Sequence, residues 1–347
     1  MRAAVLTGVR KMEMRDIPVP EIKSPTDVLL EIKRVGVCGS DVHYYTTGRI
    51  GSQVVDFPHI VGHECSAVVV ETGSAVTELK KGDRVAVEPA IYCHECDQCC
   101  AGRENTCRNL KFLACPGELQ GCLTEYIVLP AENCFPIPDA MTFEEAALAE
   151  PLSIGMYAVQ QSIPMHGARI GILGAGPIGL SAMLPAIARG ASACYVTDRL
   201  NYRCQNAREH GAVWAGNPDS TDIVSTVREK EPLLLDAVFE CCGQQEALDQ
   251  ALQILKPGGK LMLIGIPEFD RYTFPADIAR RKEICIQNVR RQNGCVQPAL
   301  EFTAAKGTNP SFMVTHHFPL ENTKQAFDLV DNYDDGVIKA MINLEDK

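Results

Sequence analysis

Residues 169–180 read RIGILGAGPIGL, and this stretch decides the fold. An apolar run leads into Gly174, Gly176 and Gly179, which have the spacing GxGxxG, and a helix-forming stretch follows them. In such a turn the first glycine makes the tight bend, the second lets the backbone approach a pyrophosphate, and the third lets the helix pack on the strand. The stretch therefore predicts a strand, a phosphate-binding turn and a helix whose N-terminus faces the phosphate charge.

An acidic residue follows this turn at the distance typical of a dinucleotide site. Asp198 ends the next apolar run, SACYVTD (192–198), and lies 19 residues beyond Gly179. A carboxylate at that place can hydrogen-bond the ribose hydroxyls and repel a 2′-phosphate, so the pattern favours NAD over NADP. Arg199 and Arg203 either reach the adenosine end of the cofactor or are solvated charges, and Arg199 could weaken the repulsion. A turn without a ligand is the alternative, which the acid at this distance disfavours.

The surrounding sequence divides the chain into two domains. Over residues 151–284, apolar runs such as LLLDAVFECCG (233–243) and GGKLMLIGI (258–266) alternate with helical stretches. Parallel strands buried on both faces read as continuous apolar runs, so this part predicts a doubly wound α/β sheet. Residues 1–150 carry short β-rich runs separated by Gly, Pro and Asp, which predict a mostly antiparallel β domain. We expect residues 285–347 to rejoin that first domain.

Composition excludes several classes of partner. The chain has 347 residues, 46% hydrophobic and 22% charged, which is typical of a folded protein with about two domains. A net charge of −11 argues against a nucleic-acid partner, and the charged N-terminal segment lacks the apolar core of a signal peptide. No stretch reaches the roughly 18 apolar residues of a membrane span. Sixteen cysteines without a secretory signal indicate metal ligands and buried thiols in a reducing cytoplasm.

A cluster of cysteines lies in CHECDQCCAGRENTC, residues 93–107. Four of them have the spacing C-x2-C-x2-C-x7-C, namely Cys93, Cys96, Cys99 and Cys107. Four thiolates at such a spacing close a structural zinc site, which would stabilise a lobe of about residues 88–115 that has few apolar residues. Cys100 lies inside the cluster, so spacing does not decide between Cys99 and Cys100 as the ligand.

A second metal site is suggested by residues that lie far apart in the sequence. Cys38 stands in GVCGSD, and His63 and Glu64 stand in VGHE. Thiolate, imidazole and carboxylate together would hold zinc by three ligands and leave a position for water or substrate. Singly, a cysteine is usually buried filler and a His-Glu pair usually lies on the surface, so these residues by themselves only suggest a site.

Five motifs occur in the order found in one enzyme family. They are VGVCGSDVHYYTTGRIG (35–51), FPHIVGHE (57–64), the four-cysteine segment, EPLSIG (150–155) and the glycine turn. The chain resembles the zinc-dependent medium-chain dehydrogenases, most closely the polyol branch of sorbitol dehydrogenase and its xylitol and iditol relatives. The resemblance implies an α/β Rossmann domain that binds NAD and a GroES-like, mostly antiparallel β catalytic domain with a structural-zinc lobe. It also implies a catalytic and a structural zinc ion in each chain.

The resemblance assigns roles to individual residues. The implied ligands of the catalytic zinc are Cys38, His63 and Glu64. Glu150 would join them directly or through a water, Ser40 would touch the reacting oxygen and begin the proton path, and His43 would extend that path. The implied substrate contacts are Tyr44, Glu150, Arg290 and Arg291. The implied cofactor contacts are Gly174, Gly176, Pro177, Ile178, Gly179, Asp198, Arg199, Arg203, Ile264, Gly265, Ile266, Asn288, Val289 and Arg290.

One departure from the polyol branch concerns the substrate. Sorbitol dehydrogenases typically have Arg-Tyr where this chain has Arg290-Arg291, so a second cation replaces a hydroxyl-bearing ring. An anionic or phosphorylated substrate therefore stays open beside a neutral polyol.

Together these features predict an oxidoreductase that reversibly oxidises a secondary alcohol of a polyol such as sorbitol, xylitol or iditol with NAD. The alternatives among enzymes are threonine or butanediol dehydrogenase, or a dehydrogenase for a sugar-alcohol phosphate or a cyclitol. A zinc-stabilised nucleotide sensor without turnover is disfavoured because Cys38, His63, Glu64 and Glu150 are all present. The resemblance further implies a homo-oligomer, a tetramer or a dimer, that acts on a small molecule. Charge, hydropathy and cysteine content predict a cytoplasmic protein that binds neither nucleic acid nor membrane.

Overall fold

The computed structural model describes residues 1–305 and 309–344. Its strands are β1 (Arg2–Gly8), β2 (Lys11–Asp16), β3 (Asp27–Gly36), β4 (Arg49–Ile50), β5 (Gln53–Val54), β6 (Glu64–Thr72), β7 (Arg84–Val87), β8 (Ala90–Ile91), β9 (Lys111–Phe112), β10 (Tyr126–Pro130), β11 (Cys134–Pro136), β12 (Arg169–Leu173), β13 (Ala193–Thr197), β14 (Trp214–Gly216), β15 (Leu235–Glu240), β16 (Leu255–Leu263), β17 (Cys285–Asn288), β18 (Val314–Pro319) and β19 (Lys339–Asn343).

The α-helices are α1 (Gly39–Thr47), α2 (Asp97–Cys100), α3 (Phe143–Ala147), α4 (Ala149–Gln161), α5 (Pro177–Ala188), α6 (Asn201–Glu209), α7 (Ile223–Lys230), α8 (Gln245–Ile254), α9 (Ala276–Arg281), α10 (Val296–Ala304) and α11 (Thr323–Asn332). Short 3-10 turns occupy Glu104–Thr106, Ala131–Asn133, Pro310–Met313, Leu320–Asn322 and Asp334–Gly336. None of the helices formed by the described residues combines the length and the apolar character needed to cross a membrane.

The chain folds into two compact units. Unit 1 comprises Met1–Glu150 and Val296–Lys347, and unit 2 comprises Pro151–Cys295. The expected return to the first domain at residue 285 is corrected to residue 296, because β17 pairs in parallel with β16 and so belongs to the sheet of unit 2. Residues 306–308 and 345–347 of the expected range lie outside the described part of the chain.

The sheet of unit 2 is parallel, with strand order β14-β13-β12-β15-β16-β17. Helices α5 and α8 pack on it, and its buried core includes Leu173, Leu235, Val238, Leu248 and Leu261. The strand order reverses direction between β12 and β15, as in sheets that are wound outward from the middle. The predicted doubly wound α/β fold is therefore confirmed, and the carboxyl ends of all these strands lie along one edge.

The main sheet of unit 1 is mostly antiparallel. Its order is β11-β7-β6-β3-β19-β18, with β10 also paired to β3, while β18 runs parallel to β19. The C-terminal segment supplies β18 and β19, and β19 pairs antiparallel with β3 from the N-terminal segment. Leu30, Ile32, Tyr45, Phe327 and Ile342 are among its buried core residues. The antiparallel β domain predicted from the sequence is confirmed.

The four-cysteine segment forms a lobe with a small core of its own. The antiparallel pair of β8 and β9 contributes Ala90 and Phe112, which form this core with Cys115, and Tyr92 and Leu110 pack half-buried against it. So small an apolar core stabilises a loop only weakly, which makes the lobe dependent on another source of stability, such as a bound metal.

Gly155 on α4 tests the close packing of unit 2. A Cβ at this position would lie 2.1 Å from the carbonyl oxygen of Ser181 and 2.5 Å from the N of Ala182, both on α5. Because backbone cannot move aside easily, we expect Gly155→Ala to destabilise the protein by about 1–3 kcal/mol, measured as a lower Tm. Gly8→Ala is the control, since its Cβ would meet only the flexible Lys11 side chain at 3.4 Å. Equal Tm values for the two variants would contradict this packing.

Candidate functional site

The glycine turn joins β12 to α5 in unit 2. Gly174 has φ +101°, a backbone conformation that side chains disfavour. A Cβ on Gly179 would lie 1.8 Å from the carbonyl oxygen of Gly174, whereas one on Gly176 would meet only the guanidinium of Arg203, 3.3 Å away. Pro177 and Ile178 form the first turn of α5. The turn has the bend, the accessible backbone and the tight helix packing that fit a bound pyrophosphate.

Asp198 braces this turn from the end of β13. Its Oδ2 accepts a hydrogen bond from the backbone N–H of Ala175 at 2.8 Å, and its Oδ1 accepts one from Leu200 at 2.9 Å. The Nη1 of Arg203 lies 4.0 Å from Oδ2, and the Arg203 side chain is buried. The carboxylate is thus fixed beside the phosphate turn, at the place where a ribose lies in dinucleotide-binding folds.

The other predicted cofactor residues follow the carboxyl ends of the parallel strands. Those after β16 are Ile264, Gly265 and Ile266, and those at the end of β17 are Asn288, Val289 and Arg290. A Cβ on Gly265 would lie 2.2 Å from the backbone N of Gly243, so this loop packs directly on the turn after β15. Arg199 follows β13, and Arg291 follows β17 with φ +52°. This edge of the sheet is where dinucleotides bind in open α/β folds.

In unit 1 the structure brings Cys38, His63 and Glu64 together. Cys38 immediately precedes α1, His63 immediately precedes β6, and Glu64 begins β6. One donor atom from each residue lies within 4.8 Å of the other two. His63 and Glu64 are only 5% and 1% exposed. A thiolate, an imidazole and a carboxylate in such proximity form a donor set suited to zinc.

Two charged residues hold these donors in place. Oδ2 of Asp41 lies 3.1 Å from Nδ1 of His63, which leaves Nε2 for a ligand. The ammonium of Lys339, on β19, donates to Oε2 of Glu64 and, at 3.3 Å, to the carbonyl oxygen of Val37. Both carboxylates and the ammonium are buried, so each charge depends on its partner.

The sequence motifs predicted the three donor residues but not their partners Asp41 and Lys339, although the sequence contains a signal for each partner. Asp41 lies three residues after Cys38, a spacing that keeps it near the donors at the start of a helix. Lys339 is a lone charge in the apolar run VIKAMINL, and a charge in a buried strand needs a counter-charge.

The charges around His63 favour a cation. Burial lowers the pKa of His63, but the charges of Asp41 and Cys38, with their hydrogen bonds, raise it well above its usual value. Lys339 is similar, since burial lowers its pKa and the charges of Glu64 and Cys38 raise it above the ordinary value. A buried position that stabilises positive charge to this extent is suited to a divalent metal ion.

Helix α1, which begins directly after Cys38, carries three further predicted residues. Ser40 donates a hydrogen bond from Oγ to Sγ of Cys38 at 3.3 Å. The hydroxyl of Tyr44, which is buried, donates to Oε1 of Gln53 at 3.2 Å. His43 is half-buried on the same helix. One short helix therefore carries a hydroxyl, an imidazole and a phenol directly after the thiol of Cys38.

Glu150 is 4% exposed and lies in the first turn of α4. Burial lowers the pKa of Lys339, whereas the negative charges of Glu64 and Glu150 raise it. Among the described residues, Glu150 is outside the set of mutually close donors formed by Cys38, His63 and Glu64. It thus contributes negative charge to the region without standing in the three-donor group.

The lobe assembles the four predicted cysteines. The sulfur–sulfur distances are 3.4 Å for Cys93–Cys107, 3.6 Å for Cys96–Cys99, 3.9 Å for Cys96–Cys107 and 4.0 Å for Cys93–Cys99. Thiolates around a tetrahedral zinc stand about 3.8 Å apart, so the spacing fits. Cys100 is exposed and its sulfur turns to the carbonyl oxygen of Glu95 at 3.6 Å, which leaves Cys99 as the cluster member.

Backbone groups already favour a thiolate in the lobe. Hydrogen bonds from the N–H groups of Arg108 and Cys99 lower the pKa of Cys96 to about 6, whereas burial raises the pKa of Cys99 to about 12. Zinc binds cysteine as thiolate, so the ion would favour the deprotonated form of every member.

Comparison with known proteins agrees with this geometry. Residues 24–139 match the alcohol dehydrogenase GroES-like domain, and residues 177–305 match the zinc-binding dehydrogenase family. The chain is 36% identical over 345 residues to a sorbitol dehydrogenase of Bacillus subtilis, covering 99% of this chain and 97% of that protein. It is 38% identical over 325 residues to the sorbitol dehydrogenase of Gallus gallus, covering 92% and 90%.

A solved structure extends the likeness to the whole fold. An Escherichia coli oxidoreductase/dehydrogenase of unknown specificity matches with a TM-score of 0.92 and 32% identity, covering 99% of each chain. The resemblance inferred from the motifs is confirmed by these matches. The glycine turn, the buried donor group and the cysteine lobe thus occur in an oxidoreductase chain that belongs to the zinc-dependent medium-chain dehydrogenases, in the sorbitol dehydrogenase branch.

Proposed function

We propose that the chain reversibly oxidises a secondary alcohol of a polyol, of the sorbitol, xylitol or iditol type, to the ketose with zinc and NAD. The observation that carries the proposal is the buried group Cys38, His63 and Glu64. It occurs in a chain that is 36% and 38% identical to two sorbitol dehydrogenases over nearly their whole lengths.

Zinc fits this donor group and would be held by Cys38, His63 and Glu64. Three protein ligands leave one tetrahedral position for a substrate oxygen, as in catalytic zinc sites. When bound, the ion supplies Lewis-acid polarisation that lowers the pKa of the substrate hydroxyl. Asp41 engages Nδ1 of His63, which supports Nε2 as the ligand atom, and Lys339 fixes the carboxylate of Glu64 through Oε2.

Ser40 is the proposed first acceptor of the hydroxyl proton. Its Oγ lies 3.3 Å from Sγ of Cys38, so a substrate oxygen beside the donor group would be within hydrogen-bond reach. His43 lies three residues further along α1, which brings it to the same side of the helix, and it is half-buried. We propose that His43 passes the proton toward solvent.

The remaining groups are proposed to orient substrate and cofactor. Glu150 and Tyr44 offer a carboxylate and a phenol that can hydrogen-bond the neighbouring hydroxyls of a polyol. Arg290 and Arg291 are proposed as substrate contacts because the family resemblance implies that role. NAD supplies the hydride acceptor, and Asp198 beside the glycine turn supports NAD over NADP.

We further propose a homo-oligomer, a tetramer or a dimer, that acts in the cytoplasm. The family resemblance supports the assembly. None of the sixteen cysteines, all of which lie in the described part of the chain, forms a disulfide, as in proteins of a reducing compartment.

A substrate screen tests the function. Zinc-loaded protein should form NADH with a kcat/KM at least about tenfold higher for one of sorbitol, xylitol and iditol than for threonine or butanediol, because only a polyol fills the hydroxyl-binding groups. An inositol, galactitol and sugar-alcohol phosphates complete the panel, and the readout is absorbance of NADH. A higher kcat/KM for threonine, butanediol, an inositol or a sugar-alcohol phosphate than for every open-chain neutral polyol would contradict the proposal.

Cys38→Ala separates the two proposed zinc sites. We expect turnover to be lost and zinc to fall from about two to about one ion per chain, because the lobe keeps its four thiolates. Zinc would be counted by elemental analysis. Cys100→Ala is the matched control and should keep both ions and full turnover, since its exposed sulfur lies outside the cluster. Retained turnover in zinc-loaded Cys38→Ala would overturn the catalytic assignment.

Lys339→Met tests the buried counter-charge of Glu64. In zinc-free protein, removing one partner of a buried pair leaves the other charge uncompensated, so we expect a loss of about 3–5 kcal/mol in the free energy of unfolding by urea. Lys256→Met is the control, because Lys256 is 42% exposed in its pair with Asp236 and should cost at most about 1 kcal/mol. A loss in Lys339→Met no greater than that in the control would mean that Glu64 does not depend on this ammonium.

A further inference from the structure

Two loops of unit 2 meet beside Asp198 through a pair of charges. One loop follows β13 and the other follows β14, and these strands are parallel neighbours, so both loops leave the sheet at the same edge. Nε of Arg199 in the first loop donates to Oδ2 of Asp219 in the second at 3.0 Å. The residue next to the ribose-binding acid is therefore a cation that already has an acidic partner.

Asn217 links the loop that carries Arg199 to the loop that carries Asp219. Its Nδ2 donates to the carbonyl oxygen of Arg199 at 2.8 Å and to Oδ1 of Asn201 at 3.0 Å, and its Oδ1 accepts from the N–H of Asp219 at 2.9 Å. The two backbones are thus tied together independently of the ion pair. The hydrogen bonds of Asn217 hold the backbone of Asp219 beside Arg199, so the ion pair forms within an ordered loop.

A free arginine at this place would change the choice of cofactor. A guanidinium beside the ribose site is the group that accommodates a 2′-phosphate, because its planar donors match phosphate oxygens. Here each nearby arginine faces a carboxylate, Arg203 at 4.0 Å from Asp198 and Arg199 at 3.0 Å from Asp219. A 2′-phosphate would have to compete with a carboxylate for either cation.

We infer that Asp219 is a second determinant of cofactor specificity, which disfavours NADP by holding Arg199 in an ion pair. The inference rests on the proposed use of NAD and names the residue that keeps Arg199 from cancelling the effect of Asp198. Asp219 acts through Arg199 and is a positioning residue. The pair is 73% and 54% exposed, so its effect is limited to about two- to fivefold in relative affinity and weakens at high salt.

The test measures the dissociation constants of NADH and NADPH by calorimetry on the full zinc-loaded chain. We expect D219N to raise the affinity for NADPH relative to NADH by about two- to fivefold at low salt, and by less at high salt. D277N is the matched control, because Asp277 is an exposed carboxylate of unit 2 that pairs with Arg281 at 2.9 Å within α9 and not with Arg199. In an R199Q background D219N should no longer change the ratio.

Each outcome decides one claim. An unchanged ratio in D219N, an equal change in D277N, or a full D219N effect in the R199Q background would overturn the inference. Wild-type protein that bound NADPH more tightly than NADH would overturn the proposed cofactor, while the effect of D219N on the ratio would still decide the role of Asp219. Failure to bind either nucleotide would overturn both.

Discussion

A buried ion pair between Lys339 and Glu64 is the constraint on which unit 1 depends. Its two charges come from the two separate segments of the chain that make up unit 1, and both side chains are 2% exposed. Burying either charge alone would cost several kcal/mol, so the C-terminal segment must insert β19 beside β3 for Glu64 to stay charged at the start of β6. Gly36 leaves the room, since a Cβ there would lie 2.2 Å from Oε2 of Glu64. The position of the donor residue Glu64 therefore depends on the pairing of β19 with β3 in the sheet.

Patterns confined to contiguous residues predicted most of the fold. The glycine turn, the apolar runs of the parallel sheet and the punctuated β-rich runs of unit 1 each express a local periodicity or a backbone requirement. The boundary at residue 296 was not predictable in this way. Strand β17 is short and only partly buried, so it lacks the continuous apolar character of a central parallel strand.

In the candidate sites, too, local sequence patterns predicted some residues, whereas other residues come together only in the folded chain. The spacing of the cysteines predicted the lobe, but the choice of Cys99 over Cys100 depends on side-chain direction in α2, which spacing does not contain. The motifs named Cys38, His63 and Glu64, whereas Lys339 is distant in sequence and becomes a partner only when β19 joins the sheet. Likewise, the partner of Arg199 depends on how the loops after β13 and β14 meet.

The central claim is that Cys38, His63 and Glu64 hold a reactive zinc distinct from the ion of the cysteine lobe. X-ray absorption at the zinc edge, on protein that oxidises a polyol, tests this most directly. One zinc would have the four thiolates of the lobe as ligands, and the other would have the single thiolate of Cys38. The average over both ions is therefore about 2.5 sulfur ligands per zinc, with nitrogen and oxygen completing the shells. An average of about four sulfur ligands in active protein would contradict the account, because only the lobe would then hold zinc.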